Sequence, residues 1–176
     1  LKKEDIQDYG TGSMRYENEE KIYILRELLT LAGKQSDNTA AYVLTNLLGL
    51  KNIQVFLKNL GLEKTSMAEN ETTAREITKL LVMTWQGKIL KNPKYKEEFF
   101  ADITNTDFED RLVAGLPKGV RVAHKIGSAD QAYHDCGLVL GPKPFALCIL
   151  SKEAAENEAM EVIPKISSLI WNYEEK

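Results

Sequence analysis

Near Pro117 the apolar residues of this chain change their spacing, and that change constrains the fold more than any other feature. Before it, the pattern is helical. Ile22, Ile24, Leu25, Leu28, Leu29 and Leu31 recur mostly at three- and four-residue intervals and predict a helix over 20–32, ending at Gly33. Ala41, Val43, Leu44, Leu47 and Leu48 predict a second helix after Ser36-Asp37-Asn38, stopped by Gly49. A short third helix is expected over 53–60 before Gly61. Thr73 and Glu76 form a capping box for a fourth that runs to Gly87, and a fifth is expected over 95–104. After Pro117 come three short runs rich in β-branched and apolar residues, at 120–126, 136–140 and 145–150. Gly141-Pro142-Lys143-Pro144 should turn the last two into an antiparallel hairpin, and a helix over 152–173 closes the chain despite Pro164. The expectation is an α+β fold with a helical part, 1–116, and a part of three antiparallel strands plus a C-terminal helix, 117–176, together most of one domain.

Charge and composition exclude several functions. With 23 basic against 26 acidic residues, the chain has no excess of cations to displace counterions from a phosphate backbone, so nucleic acid is not an expected partner. No run reaches the roughly 20 apolar residues needed to span a bilayer. The chain starts at Leu1 without an initiator Met, so its natural start is expected upstream. Cys136 and Cys148 are equidistant from Pro142, which would set them opposite each other in a symmetric hairpin. They could form a bridge, or simply be two small buried residues.

Taken singly, the polar motifs are unremarkable. Ser36-Asp37-Asn38 reads as a helix N-cap, and Lys125 as a solvated residue at a strand end. His134 and Cys136 share a strand face and lie near His124, but two histidines and no second cysteine at ligand spacing do not make a zinc site. Gly10-Thr11-Gly12 lacks the preceding strand and following Gly-Lys of a phosphate loop and reads as a turn.

Their order is more informative. Ser-Asp-Asn opening a helix, a long helical stretch, then His124-Lys125-Ile126-Gly127-Ser128 on a strand followed by a hairpin and a C-terminal helix resembles class A β-lactamases and penicillin-binding serine hydrolases. That family's motifs are Ser-x-x-Lys, Ser-Asp-Asn and Lys-Thr-Gly. Gly10-Thr11-Gly12, Thr72-Thr73 and Leu116-Pro117-Lys118-Gly119-Val120 agree with it. The resemblance implies a β-lactamase/transpeptidase-like fold and acyl transfer on a β-lactam or a D-alanyl-D-alanine peptide, with neither metal nor organic cofactor. Ser36 would relay a proton to the departing nitrogen. Lys125 would hold that hydroxyl and supply charge for the substrate carboxylate. Asn38 would bind the substrate amide, and Gly127 with the Ser128 backbone N–H would bind the substrate and its oxyanion.

Three departures accompany the resemblance. No Ser-x-x-Lys occurs in the chain, so the nucleophile is expected on a missing N-terminal segment, and this chain alone should not form an acyl-enzyme. The segment between Gly61 and Thr72 is too short for the family's loop bearing a deacylating Glu, so Glu69 and Glu71 read as acidic residues near a helix start. Ile126 stands where a hydroxyl is usual, and the strand 133–140 carries no Arg for the carboxylate. A penicillin-binding peptidase or another serine hydrolase, and a non-catalytic binding or structural member, are therefore the alternatives to a β-lactamase. An extracytoplasmic location, periplasmic, cell-surface or secreted, follows from the same resemblance.

Overall fold

A computed structural model describes all residues except 19 and 175. By contact the chain divides into two units, Leu1–Thr72 and Thr73–Lys176.

The first unit is helical: α1 (Leu25–Lys34), α2 (Asn38–Leu48) and α3 (Leu50–Asn59), preceded by a helical turn at Met14–Tyr16. Its core is Met14, Leu28 and Ala40, with Leu31, Val43 and Leu44 packed around them. α1 starts later than periodicity predicts. The Glu27 carboxylate accepts the Ile24 N–H at 3.0 Å, which fixes the first turn there. Ile22 and Ile24 thus lie outside the helix and are exposed. Gly33 does not end α1, which runs on to Lys34. α3 begins directly after Gly49, which is the cap of both neighbouring helices.

The second unit holds α4 (Ala74–Trp85), α5 (Pro93–Asp102), strands β1 (Arg121–Ala129), β2 (Ala132–Leu140) and β3 (Phe145–Leu150), and α6 (Glu156–Glu174). The Thr73 hydroxyl caps α4 as expected, accepting the Glu76 N–H at 3.3 Å. α5 starts two residues early, because the Asn92 side chain caps it and Pro93 needs no N–H partner in the first turn. The strands form one antiparallel sheet in the order β1-β2-β3.

Alternation along the strands gives the sheet two buried faces. Cys136, Leu138, Ala146, Cys148 and Leu150 join Leu81, Phe100 and Ile103 in one core. Tyr133, Leu147 and Ile149 pack with Leu112, Ala159 and Ile163 of the other. β3 is apolar throughout because each face meets a helix. Of the two readings open for the cysteines, the bridge is the one present: Cys136 lies opposite Cys148 and the two are bonded.

β1 and β2 are longer than the apolar runs that signalled them. Asp130 and Gln131, at φ 40° and 61°, make a two-residue turn that carries the ladder to Ala129 opposite Ala132. The Gln131 carbonyl also takes the Ala154 N–H at 2.9 Å, so the chain after β3 stays with this turn and α6 starts at Glu156 rather than near Lys152.

Candidate functional site

Of the sequence-predicted residues, Ser36 and Asn38 fall in the first unit and Lys125, Gly127 and Ser128 in the second. In the first, Ser36-Asp37-Asn38 opens α2, and its anchor is the middle residue. Asp37 is fully buried. One carboxylate oxygen accepts the Ala40 N–H at 2.9 Å as the helix cap, and the other accepts the Met14 N–H at 2.8 Å. This leaves Ser36 and Asn38, both half-buried, on either side of a fixed point.

Ser36 has φ 51°, a left-handed conformation uncommon for a residue with a side chain. Its carbonyl is held by the Thr11 hydroxyl at 2.8 Å, and the Asn38 N–H donates to the Thr11 carbonyl at 3.2 Å. Gly10-Thr11-Gly12 is therefore a clasp on the motif rather than a mere turn. A Cβ at Gly12 would lie 2.1 Å from an Asp37 carboxylate oxygen, and one at Gly10 would lie 2.1 Å from the Asn38 side-chain nitrogen. Only glycine permits so close an approach.

In the second unit Lys125, Gly127 and Ser128 follow one another along β1. Lys125 lies opposite Cys136, on the face of the α4 core. Burial lowers its pKa to about 8, helped by the Arg111 charge and opposed by Asp135. Its ammonium donates to the Ile126 carbonyl at 3.1 Å.

The end of β1 carries a second cation that the sequence did not reveal. Arg111 is buried, and its guanidinium donates to the Gly127 carbonyl at 2.9 Å, the His134 carbonyl at 2.7 Å and the Ser128 hydroxyl at 2.6 Å. The strand 133–140 indeed has no Arg, but the segment before β1 brings Arg111 to the end of β1. Asp110-Arg111 sits where no helical or strand pattern exists, so only its tertiary contacts identify it.

His124 and Asp135, fully buried on the opposite face from Lys125, form a hydrogen-bonded pair at 2.9 Å. Both histidines are engaged within the protein, since His134 Nδ1 accepts the Ser151 N–H at 3.2 Å. Among the described residues no group of three His, Cys, Asp or Glu side chains could hold a metal ion. No described helix is long and apolar enough to cross a membrane.

The family described as the Beta-lactamase enzyme family matches residues 1–174. A beta-lactamase of Bacteroides uniformis is 22% identical over 93% of this chain and 64% of its own length. The extended-spectrum beta-lactamase PER-1 of Pseudomonas aeruginosa is 24% identical over 92% of this chain and 60% of its own. The chain thus spans less than two thirds of these relatives. A solved structure of a mutant of PBP-A, an acyl-enzyme complex with penicillin-G, matches with a TM-score of 0.90 and 25% identity, over 99% of this chain and 70% of that one. A beta-lactamase from Francisella tularensis matches with a TM-score of 0.84 and 27% identity, over 98% of this chain and 73% of that one.

Proposed function

Since the chain belongs to the beta-lactamase enzyme family, we propose that it is the later part of a serine hydrolase that attacks β-lactams through an acyl-enzyme, with the nucleophile on an upstream segment. The observation that carries this reading is the end of β1, where the half-buried Lys125 and the buried Arg111 converge on a strand whose next groups are Gly127 and Ser128. Two cations beside exposed backbone suit a substrate that presents a carboxylate next to a carbonyl. In this reading Lys125 and Arg111 attract the carboxylate. The Ser128 N–H stabilises the oxyanion, and Gly127 leaves room for the substrate. Ser36, held in its left-handed conformation, passes a proton to the leaving nitrogen, and Asn38 binds the substrate amide. A D-alanyl-D-alanine peptide offers the same groups. The Cys136–Cys148 bridge favours an oxidising, extracytoplasmic home.

A specific observation favours slow release of the acyl group. The segment between Gly61 and Thr72 closes on itself: Ser66 and Glu71 exchange both backbone hydrogen bonds, at 2.8 and 3.0 Å, and the Thr65 and Thr72 hydroxyls meet at 2.8 Å. Glu69 and Glu71 are exposed, so neither carboxylate is placed to hold a hydrolytic water in a dry pocket. This favours a penicillin-binding enzyme whose adduct persists.

The test is the intact mass of a chain extended upstream through a Ser-x-x-Lys motif, before and after benzylpenicillin, alongside a hydrolysis assay. A stable adduct lost in Lys125→Ala is the expected result. Hydrolysed drug without an adduct makes it a true β-lactamase with another deacylating group. The absence of both adduct and hydrolysis would overturn the reading in favour of a non-catalytic member.

A further inference from the structure

The buried histidine of the Lys125 strand has no part in the proposed chemistry, yet its surroundings are built around it. His124 lies opposite Gly137 on β2, and a Cβ at Gly137 would come within 2.6 Å of the His124 Cβ, so the bare backbone makes room for the ring. Both ring nitrogens face oxygens. Nδ1 is 2.9 and 3.1 Å from the two Asp135 carboxylate oxygens, and Nε2 is 3.3 Å from a Glu109 carboxylate oxygen and 3.3 Å from the Thr106 hydroxyl. An imidazolium, with two N–H donors, satisfies both carboxylates at once. A neutral ring can donate to only one.

These carboxylates also hold the incoming segment 106–112. Glu109 accepts the Thr106 N–H at 2.6 Å, and the Thr106 hydroxyl accepts the Phe108 N–H at 3.2 Å. Asp135, fully buried, accepts the Leu112 N–H at 3.0 Å. Arg111 lies between these two fastenings, with its guanidinium on the end of β1.

We infer that His124 and Asp135 form a positioning pair: the charged imidazole clamps the segment at Glu109 and, through Asp135, at Leu112, and so sets Arg111 on Gly127 and Ser128. That Arg111 then grips a ligand carboxylate rests on the reading in the preceding subsection. The clamp does not. The charged groups around His124 are Asp135 from β2 and Glu109 from the segment, and Lys125 lies within electrostatic reach of both Asp135 and Arg111. Burial opposes the imidazolium, but Asp135 and then Glu109 outweigh it, so His124 keeps its proton above the ordinary 6.5. The clamp is closed at and below that pH and opens as pH rises through the raised value.

The experiment is a pH titration of the 15N-labelled 176-residue chain by NMR, following the His124 ring nitrogens and the slowly exchanging guanidinium protons of Arg111. The expected result is that the Arg111 signals are lost in step with His124 deprotonation. Glu109→Gln keeps an acceptor for the Thr106 N–H and so keeps the fold, but removes one carboxylate from the ring. It should move both midpoints downward together. Asp135→Asn should abolish the raised His124 titration and the Arg111 signals with it. Arg111 signals that persist unchanged while His124 titrates, or that stay put when Glu109→Gln shifts His124, overturn the clamp. Benzylpenicillin added below the midpoint separates the two ideas. If Arg111 follows His124 while the Ser128 amide ignores the drug, the clamp stands and the carboxylate reading of this site fails.

Discussion

Lys125 illustrates how one residue trades stability for charge. Its pKa is 10.5 in an unfolded chain and about 8 here, chiefly because burial penalises the ammonium. Between those values the unfolded chain holds a proton that the folded chain has released, so stability rises with pH across this window. Below about 8 both states are protonated and the full cost of the buried charge is felt. Lys125→Met should therefore stabilise the protein at pH 7 by about 1 to 3 kcal/mol, since one pKa unit is worth about 1.4 kcal/mol. Thermal melts at pH 7 and above pH 10.5 check this, with the gain disappearing in the second. Gly12 gives a prediction of the opposite sign. With φ 102° and an Asp37 carboxylate oxygen 2.1 Å from where a Cβ would stand, Gly12→Ala should cost about 2 kcal/mol or more. Gly119→Ala is the control. There φ is 93° but no atom lies within 4 Å, so only backbone strain of about 1 kcal/mol remains. Equal losses in urea unfolding of the two variants would refute the clasp at Ser36-Asp37-Asn38.

At the scale of elements, the disulfide and the Asp130-Gln131 turn divide the work of holding the sheet. The bridge joins β2 to β3 across a sequence separation of 12. In the loop-entropy account a closed loop of that size is worth about 3 kcal/mol. Cys136→Ala with Cys148→Ala should lower the melting temperature by an amount that reductant reproduces in the parent protein. No such effect of reductant is expected in the double variant. Because Cys136 also lies opposite Lys125, solvent protection of the β1 amides near Lys125 should fall with that of β3. The hairpin and its opposed cysteines were readable from Gly141-Pro142-Lys143-Pro144 and the symmetry about it. The full length of β1 and β2 was not, because Asp130 and Gln131 take their left-handed conformations inside a ladder whose outer pairs, Ser128–Tyr133 and Ala129–Ala132, carry no apolar signal.

For the molecule as a whole, exposed apolar surface is the property with the clearest consequence. Leu169 and Tyr173 on α6 are 69% and 74% exposed, and Leu47 on α2 is 63% exposed. Among the described residues β3 pairs only with β2, so its outer edge offers unpaired N–H and C=O groups beside a strand of six apolar residues. The 176-residue chain should self-associate at micromolar concentration in sedimentation velocity, and Leu169→Lys should reduce that association. An unchanged monomer over a concentration series would mean that this surface is tolerated in water.

Periodicity and punctuation determined the helical part, the switch to strands and the hairpin with its opposed cysteines, and the order of Ser36-Asp37-Asn38 and Lys125-Ile126-Gly127-Ser128 carried the family resemblance. The elements are local, since a helix face, a cap or a turn is written in residues a few positions apart, and only the resemblance draws on distant motifs. Only the tertiary structure decided that Gly10-Thr11-Gly12 clasps Asp37, that Glu109 and Asp135 share a buried histidine, and that Arg111 reaches the end of β1. Glu109 and Arg111 lie in a segment without periodicity, and the partners in these contacts are far apart in sequence, Met14 and Asp37 being separated by 23 and Arg111 and His134 by 23. Burial makes such contacts decisive, because a charge or N–H removed from water must find its partner wherever the fold brings one.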